Sequence, residues 1–312
     1  MECPDCKSEN TVKNGKDYEQ NGTFQKYICR ACKRQFRIEL FSTKLITNGY
    51  HNTPNKPCNI LIFDIEVLPM EVFVWGLYKQ RISYKNIIKE WIVLSWAAKW
   101  LYEDTVFSDV LTRKEIKKRD DKRILKSIHE LFDQADIVVA HNGNRFDIRK
   151  LNARWIYHKI KPPAPYKSID TLKKSQQTLG TSSHKLDYLG KFLVNDEKLD
   201  TDFQLWIDCR NGDQQALADM QNYNCKDVLL LEEVYIELLP WIKFHPNIGI
   251  YYSDEEIRCS NCGEANIKPT GGYYTTQANQ YAVYQCANCG AYARLPKGEI
   301  SYLKRMQTLR PV

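Results

Sequence analysis

The chain has 312 residues, 43% hydrophobic and 12% aromatic, which is enough for one core of roughly 200 residues with smaller modules beside it. It lacks both the apolar run of about 18 residues that a membrane span requires and the basic and apolar segments of a secretory signal, so a cytoplasmic protein with no membrane contact is expected. The net charge of +7 fits a polyanionic partner and equally a mildly basic, solvated surface.

Residues 1–46 form a first cysteine module. Eight of the eleven cysteines fall into four CxxC pairs, Cys3/Cys6, Cys29/Cys32, Cys259/Cys262 and Cys286/Cys289, while Cys58, Cys209 and Cys225 stand alone. In a reducing compartment such pairs point to metal thiolates instead of disulfides. Four thiolates make a closed tetrahedral zinc site with no open position, so each module is expected to be a structural ribbon holding one Zn2+. Each such site adds about −2, which brings the net charge to about +3. Pro4, Lys13-Asn14-Gly15, Tyr27 and the run Cys29 to Phe36 resemble the ribbon that opens some insertion-sequence transposases, which implies a DNA-handling background. Lys33, Arg34 and Arg37 could grip phosphates and Tyr27 and Phe36 stack bases, although the two aromatics serve more simply as the core of a tiny domain.

Residues 47–59, rich in Asn, Pro and Thr, read as a linker. The domain at 60–245 opens with short apolar runs, ILIFDIEV, EVFVWGLY, WIVLSWAAKW and TVFSDV, expected as strands of a central sheet. The basic run Arg113 to Lys126 is read as a solvated helix face, with phosphate contact as the alternative. Ile124, Leu125, Ile128, Leu131 and Phe132 then repeat at helical spacing, Asp136 to Ala140 reads as a buried strand, and Phe146 to His158 returns to helical spacing until the prolines of KPPAP. Leu186 to Leu193 and about 214–242 are also expected as helices. Antiparallel strands followed by alternating helices and strands predict an α/β domain with a mixed sheet flanked by helices. A second ribbon, 254–298, and a basic tail, 299–312, follow. The two intervals between inner cysteines are 22 and 23 residues, as for two copies of one architecture. Tyr273, Tyr274, Tyr281, Tyr284 and Tyr292 are expected mostly as the small core of the second copy.

The chemistry begins at Phe63-Asp64-Ile65-Glu66, where alternation puts both carboxylates on one face of a strand. Like charges on a buried strand repel and lose hydration unless a cation neutralises them; alone, the pair is better explained as solvated acids at a strand edge. At Asn142-Gly143-Asn144-Arg145-Phe146-Asp147 a strand runs through a glycine turn into a helix, which presents Asp147 near the sheet, and a helix cap explains the segment equally well. Tyr223 and Asp227, at i and i+4, share one helix face, as they would on any amphipathic helix.

In this order the three segments resemble the exonuclease motifs of the DnaQ-like superfamily, most closely those of proofreading domains in B-family DNA polymerases. That pattern is Asp-x-Glu, then Asn-Gly-x-x-Phe-Asp, then Tyr-x-x-x-Asp, and the resemblance spans residues 60 to 242. It implies a ribonuclease-H-like fold and a 3′-5′ exonuclease. Asp64, Glu66, Asp147 and Asp227 would hold two Mg2+ or Mn2+ ions about 4 Å apart, hard cations suited to oxygen ligands. Tyr223 would orient the attacking water, since a phenol with an ordinary pKa of about 10 is a poor base at neutral pH. Asn142 and Phe146 would meet the terminal nucleotides, Phe146 being equally well placed as a core residue of its helix. Ser183 to Leu189 resembles the Tyr-Lys-Leu segment of those domains, with His184 in place of Tyr and Lys185 as a candidate substrate contact. One branch of the superfamily has His five residues before the last Asp; Asn222 stands there, which indicates the tyrosine (DEDDy) branch.

His141 and His184 are expected to pack and hydrogen-bond, Asp170 either to support the ligands or to cap a turn, and Cys225 to be inert. The implied substrate is a single-stranded DNA or RNA 3′ end, with replication or repair proteins as further partners. The alternatives are a noncatalytic nucleic-acid-binding module, an endonuclease or ribonuclease H, and a proofreading subunit acting in trans in a phage or mobile-element replication complex. Nothing in the sequence separates DNA from RNA.

Overall fold

The computed structural model describes residues 2–19, 22–42 and 58–308; the linker expected at 47–59 lies outside them except for Cys58 and Asn59. The first module is an antiparallel sheet of β1 (Thr11–Glu19), β2 (Gly22–Cys29) and β3 (Gln35–Ser42) in that order. Tyr27 and Phe36 face each other across β2 and β3, rings stacked at 5.6 Å, the small-core role expected of them.

The large domain begins with β4 (Ile60–Leu68), a hairpin of β5 (Glu71–Val72) and β6 (Ile87–Lys89), then β7 (Ile92–Trp100) and β8 (Val106–Val110). It continues through α1 (Arg113–Lys118), α2 (Lys122–Phe132), β9 (Ile137–Ala140), α3 (Asp147–Tyr157), β10 (Lys167–Asp170), α4 (Thr171–Thr178), α5 (Leu186–Leu193), α6 (Phe203–Asn211) and α7 (Gln214–Leu238). The main sheet has the order β10-β9-β4-β7-β8. β4, β7 and β8 pair antiparallel, whereas β4, β9 and β10 pair parallel. This is the mixed, helix-flanked sheet expected of a ribonuclease-H-like domain.

Alternation along β4 divides the core. Leu61, Phe63 and Ile65 point into one cluster with α2 and α3, where Phe63 meets Phe132 edge-on at 4.8 Å. Ile60 and Ile62 point into the other, with Leu189 of α5 and Val228, Leu231 and Val234 of α7. Asp64 and Glu66 continue this second row by the two-residue period of a strand, so they face α7. Helix α5 lies close on α7 because Gly190 has no side chain: a Cβ there would stand 2.7 Å from Leu230 Cδ1. Asp213 caps the start of α7 by accepting from Ala216 N at 2.8 Å, and Pro240 follows its end.

Two expectations need correction. EVFVWGLY does not add a strand to the main sheet; only Glu71 and Val72 pair, with β6, in a separate two-stranded hairpin. Strand β4 already pairs with β9 on one side and β7 on the other, so the segment that follows it finds no place beside it. Arg113 to Lys126 is not a single solvated face, because it divides into α1 and the start of α2. Arg123 there bonds Asp109 and Glu115, and Ile124 and Leu125 are buried. The tail after 299 includes a short helix, α8 (Tyr302–Met306). Helix α6 escaped the apolar pattern, yet its ends were legible: Asp202 caps its start, and Gly212 at φ 76° closes it, the residue types these positions favour.

The second module, β11 (Ile267–Thr275), β12 (Gln280–Cys286) and β13 (Tyr292–Arg294), repeats the antiparallel three-stranded sheet of the first. All four CxxC turns close alike. The amide of the residue after the second cysteine donates to the carbonyl of the first: Lys7 to Cys3 at 3.0 Å, Lys33 to Cys29 at 2.9 Å, Gly263 to Cys259 at 2.9 Å and Gly290 to Cys286 at 3.0 Å. Each donor residue has positive φ, 59°, 63°, 79° and 79° in turn. The second module docks on the large domain, where Asn261 Nδ2 donates to the carbonyls of Leu239 at 2.9 Å and Ile242 at 3.3 Å. Cys262 and Cys289 pack against the α7-side core. Contrary to expectation, Tyr273, Tyr274 and Tyr292 are exposed, and Arg294 lies over the rings of Tyr274 and Tyr281.

Candidate active site

Three of the four acids expected to meet do so closely. Asp64, Glu66 and Asp227 each present an oxygen within 4.8 Å of the others, the first two from β4 and the third from α7, far along the chain. Asp147 opens α3 beside them, 97% buried, and its Oδ1 accepts from the Ile65 amide at 3.3 Å. It therefore braces the backbone between Asp64 and Glu66 and adds its charge to theirs. Gly143 permits the turn that brings it there, since a Cβ at that position would stand 2.4 Å from Ala140 Cβ.

Crowding of these acids sets their protonation. Burial, then the charges of Asp147, Asp227 and Glu66, raises the Asp64 carboxyl well above the usual range. Burial first, and Asp227 next, pushes Glu66 up to about 8. Burial pushes Asp147 up to about 7 despite the amides that stabilise its anion, and burial also raises Asp227 against the opposing pull of Lys198. Four carboxyls of this kind call for cations.

Two of the residues that answer this charge went unread in the sequence. Lys198, in the loop between α5 and α6, places Nζ 2.5 Å from Asp227 Oδ2 and 3.2 Å from the Tyr223 hydroxyl. Burial lowers its pKa, but Asp227 and Asp64 outweigh burial and hold the ammonium charged. Asn224 is fully buried, donates from Nδ2 to Asp64 Oδ2 at 2.6 Å, and accepts from Ser95 Oγ on β7 at 3.1 Å. No periodicity marks Lys198, which stands in a polar loop. Asn224 had a signal: an amide three residues before Asp227, on the inward side of an otherwise apolar face.

The Tyr223 phenol is pushed up to about 12 by burial and then by Asp227, so it is a neutral hydrogen-bonding group at physiological pH. Asn142 takes a left-handed φ of 64°, and its amide donates to Asp170 Oδ1 at 3.0 Å. Asp170 also accepts from Asn144 N and Lys173 N, which makes it the turn and cap residue of the two roles weighed for it. Phe146 is 37% exposed at the start of α3, so it is no core residue. Lys185 is exposed at the start of α5. His141 bonds Thr171 Oγ1 at 2.9 Å and is pushed down to about 4 by burial, and His184 bonds Ser175 Oγ at 3.1 Å. Cys225 is buried, its thiol pushed up to about 12 by burial.

The acid pocket fits a hard divalent cation: its donors are all carboxylate oxygens, and Asp227 Oδ1 is buried with no hydrogen-bond partner. The cysteine clusters fit zinc. Their Sγ atoms approach at 3.7 Å (Cys3 and Cys32), 3.5 Å (Cys6 and Cys29), 3.6 Å (Cys259 and Cys289) and 3.6 Å (Cys262 and Cys286). A tetrahedron with Zn–S bonds of about 2.3 Å has edges of about 3.8 Å.

Sheet order, crossing helix and acidic cluster together define a ribonuclease-H-like domain between two four-cysteine ribbons, and they support a nuclease-type function. A family model described as the RNase_H superfamily matches residues 100–239, a segment that carries Asp147, Tyr223 and Asp227 but begins beyond Asp64 and Glu66. The chain is also similar to the family B DNA polymerase from the hyperthermophilic archaeon Pyrobaculum calidifontis, at 15% identity and a TM-score of 0.42, over 66% of this chain and 27% of that one. It thus spans about a quarter of the polymerase's length. Comparison with curated proteins finds no match. No described helix is long and apolar enough to cross a membrane.

Proposed function

We propose that the protein is a 3′-5′ exonuclease of the tyrosine branch, hydrolysing phosphodiester bonds at single-stranded DNA or RNA ends. The observation that carries this is the convergence of Asp64, Glu66 and Asp227 within 4.8 Å, with the Tyr223 hydroxyl and Asp227 sharing Lys198. Asp64, Glu66 and Asp227, with Asp147 beside them, would hold two Mg2+ or Mn2+ ions. Such ions, when bound, supply an acidified water and charge compensation for the leaving oxygen.

The remaining work falls to side chains. Tyr223, neutral and anchored, donates a hydrogen bond that orients the attacking water; its raised pKa argues against a role as base. Lys198 offers a fixed positive charge beside the scissile phosphate, where charge accumulates in the transition state. Asn224 holds Asp64 in one rotamer. Phe146, exposed at the start of α3, would stack on a terminal base, with Asn142 and Lys185 as further substrate contacts on this reading. The two ribbons, each with one Zn2+, are structural.

The test exposes 5′- and 3′-labelled single strands and duplexes of DNA and RNA to the zinc-loaded protein with Mg2+, Mn2+ or EDTA. A ladder shortening from the 3′ end, abolished by EDTA and by Asp64→Ala, is expected. Equal activity in Asp64→Ala, or internal cuts before end loss, would remove the proposal.

A further inference from the structure

The hairpin that follows the catalytic strand has no counterpart in the site described so far. Its neck is firmly tied. Phe73 N donates to Asn86 O at 3.0 Å, Lys89 pairs with Glu71 at 3.0 Å, and Arg210 of α6 holds Glu71 at 2.9 Å. Its tip is open to solvent: Phe73 is 73% exposed, Trp75 100%, Leu77 89%, Tyr78 86% and Tyr84 77%. Aromatic side chains of this size normally bury most of their surface, and a contiguous exposed apolar patch on a soluble protein marks an interaction site.

Charge decides what kind of partner this tip fits. Between Phe73 and Asn86 the chain carries Lys79, Arg81 and Lys85 and no acid. Aromatic and basic residues gathered on one loop match a single nucleic-acid strand, whose bases offer flat faces and whose backbone offers regular negative charge. A second observation links the base of the hairpin, just past β6, to the acidic pocket. Trp91, directly after the hairpin, lies under Lys150 Nζ at 3.5 Å, and the same ammonium is 5.6 Å from the ring of Phe146, the neighbour of Asp147. Phe73 is the seventh residue after Glu66, so the tip begins within roughly 25 Å of the acids.

We infer that the 73–85 tip is a stacking arm for single-stranded nucleic acid, holding the part of the strand that trails away from the end being cleaved. Bases stack on Trp75 and Tyr78, phosphates pair with Arg81 and Lys85, and the path runs over Trp91, Lys150 and Phe146 toward the pocket. The inference rests on the nuclease reading for the strand's destination, but the arm's binding is measurable without cleavage.

The experiment is fluorescence anisotropy of labelled oligothymidylates of 20 and 4 nucleotides in EDTA, with zinc-loaded protein. Trp75→Ala/Tyr78→Ala is expected to weaken the 20-mer at least tenfold, since each stacked ring contributes roughly five- to hundredfold, and to erase most of its advantage over the 4-mer. Arg81→Glu/Lys85→Glu, a separate variant at exposed positions, should lower the salt dependence of 20-mer binding by about two phosphate contacts. Affinities within twofold of wild type in both variants would overturn the inference. So would a concentration-dependent dimer in sedimentation that the Trp75/Tyr78 variant dissolves while oligonucleotide affinity stays unchanged, because the tip would then be a protein-docking face. If the nuclease reading fails instead, wild type and Asp64→Ala leave every oligonucleotide intact while these binding differences persist.

Discussion

Asn224 Nδ2 donates to Asp64 Oδ2 at 2.6 Å, and Ser95 Oγ donates to the Asn224 carbonyl from the neighbouring strand at 3.1 Å. This relay fixes the orientation of Asp64, and among the described residues no hydrogen bond is made to its other oxygen. With Asp64 in its proposed role as a metal ligand, Asn224→Ala is expected to lower turnover and metal affinity by about 10- to 100-fold, the usual cost of removing a hydrogen-bond partner from such a ligand. Single-turnover rates with a Mg2+ titration measure both. Unchanged values would mean that Asp64 is positioned by its neighbours alone.

Lys198 separates two effects that normally move together. Its ammonium neutralises the acids and also anchors the Tyr223 hydroxyl. Lys198→Met makes the pocket more negative, so Mn2+ should bind several-fold tighter, while turnover should fall by about tenfold or more as Tyr223 and the phosphate lose a partner. Calorimetry with Mn2+ and a cleavage assay read the two directions; a loss in both would show that Lys198 supports the pocket's shape more than its charge.

Stability should depend on pH in a way the cation reverses. Glu66 and Asp147 are pushed up to about 8 and about 7, with burial the first cause in both. In the unfolded chain each would titrate at about 4, so the folded form binds the proton more tightly. The resulting stability is complete below a pH of about 4 and is lost as pH rises through 7 and 8. Without Mg2+ or Mn2+, but with zinc retained, stability should fall from about pH 4.5 to about pH 8, most steeply below pH 7 where both groups are protonated only in the folded form, by at most about 1.4 kcal/mol per unit for each group, and the melting temperature should fall with it and level off above about pH 8. Mg2+ should flatten the slope, and Glu66→Gln should reduce it. His141 and His245, both pushed down to about 4 by burial, act in the opposite sense: their stability is lost as pH falls from about 6.5 to about 4, so the carboxyl effect is read without them between about pH 6.5 and 8. Scanning fluorimetry would show a flat metal-free curve if these carboxyls are better solvated than their packing indicates.

With the proposed zinc in each, the two ribbons should differ in what the metal supports. The second is bonded to the end of α7 through Asn261, and two of its cysteines pack on the core. Cys286→Ser should lower zinc content from about two to one per chain and lower the melting temperature of the large domain by several degrees, as a loss of about 2 kcal/mol does in a domain of this size. Cys6→Ser should lower zinc equally and the melting temperature less. Equal effects would place both ribbons on the domain's stability to the same degree.

Much of this was open to a reader of the sequence alone. The four CxxC pairs announced both ribbons, because a tetrahedral thiolate site imposes local spacing. Asp64 and Glu66 could be put on one face of β4, and Tyr223 and Asp227 on one face of α7, because strand and helix periods are local properties of the backbone. What lay beyond reach was whatever depends on groups distant in sequence. EVFVWGLY has the composition of a strand, yet both edges of β4 were already taken, and the segment became an exposed hairpin instead. Lys198 belongs to a loop with no periodic signal, and only the packing of α5 on α7 through Gly190 brings that loop over Asp227. The closeness of Asp64 to Asp227, and the raised protonation that follows, likewise depend on α7 crossing the sheet. Local stereochemistry thus determined the elements and the identity of the acids, whereas burial and long-range contact decided which charges share a pocket and what answers them.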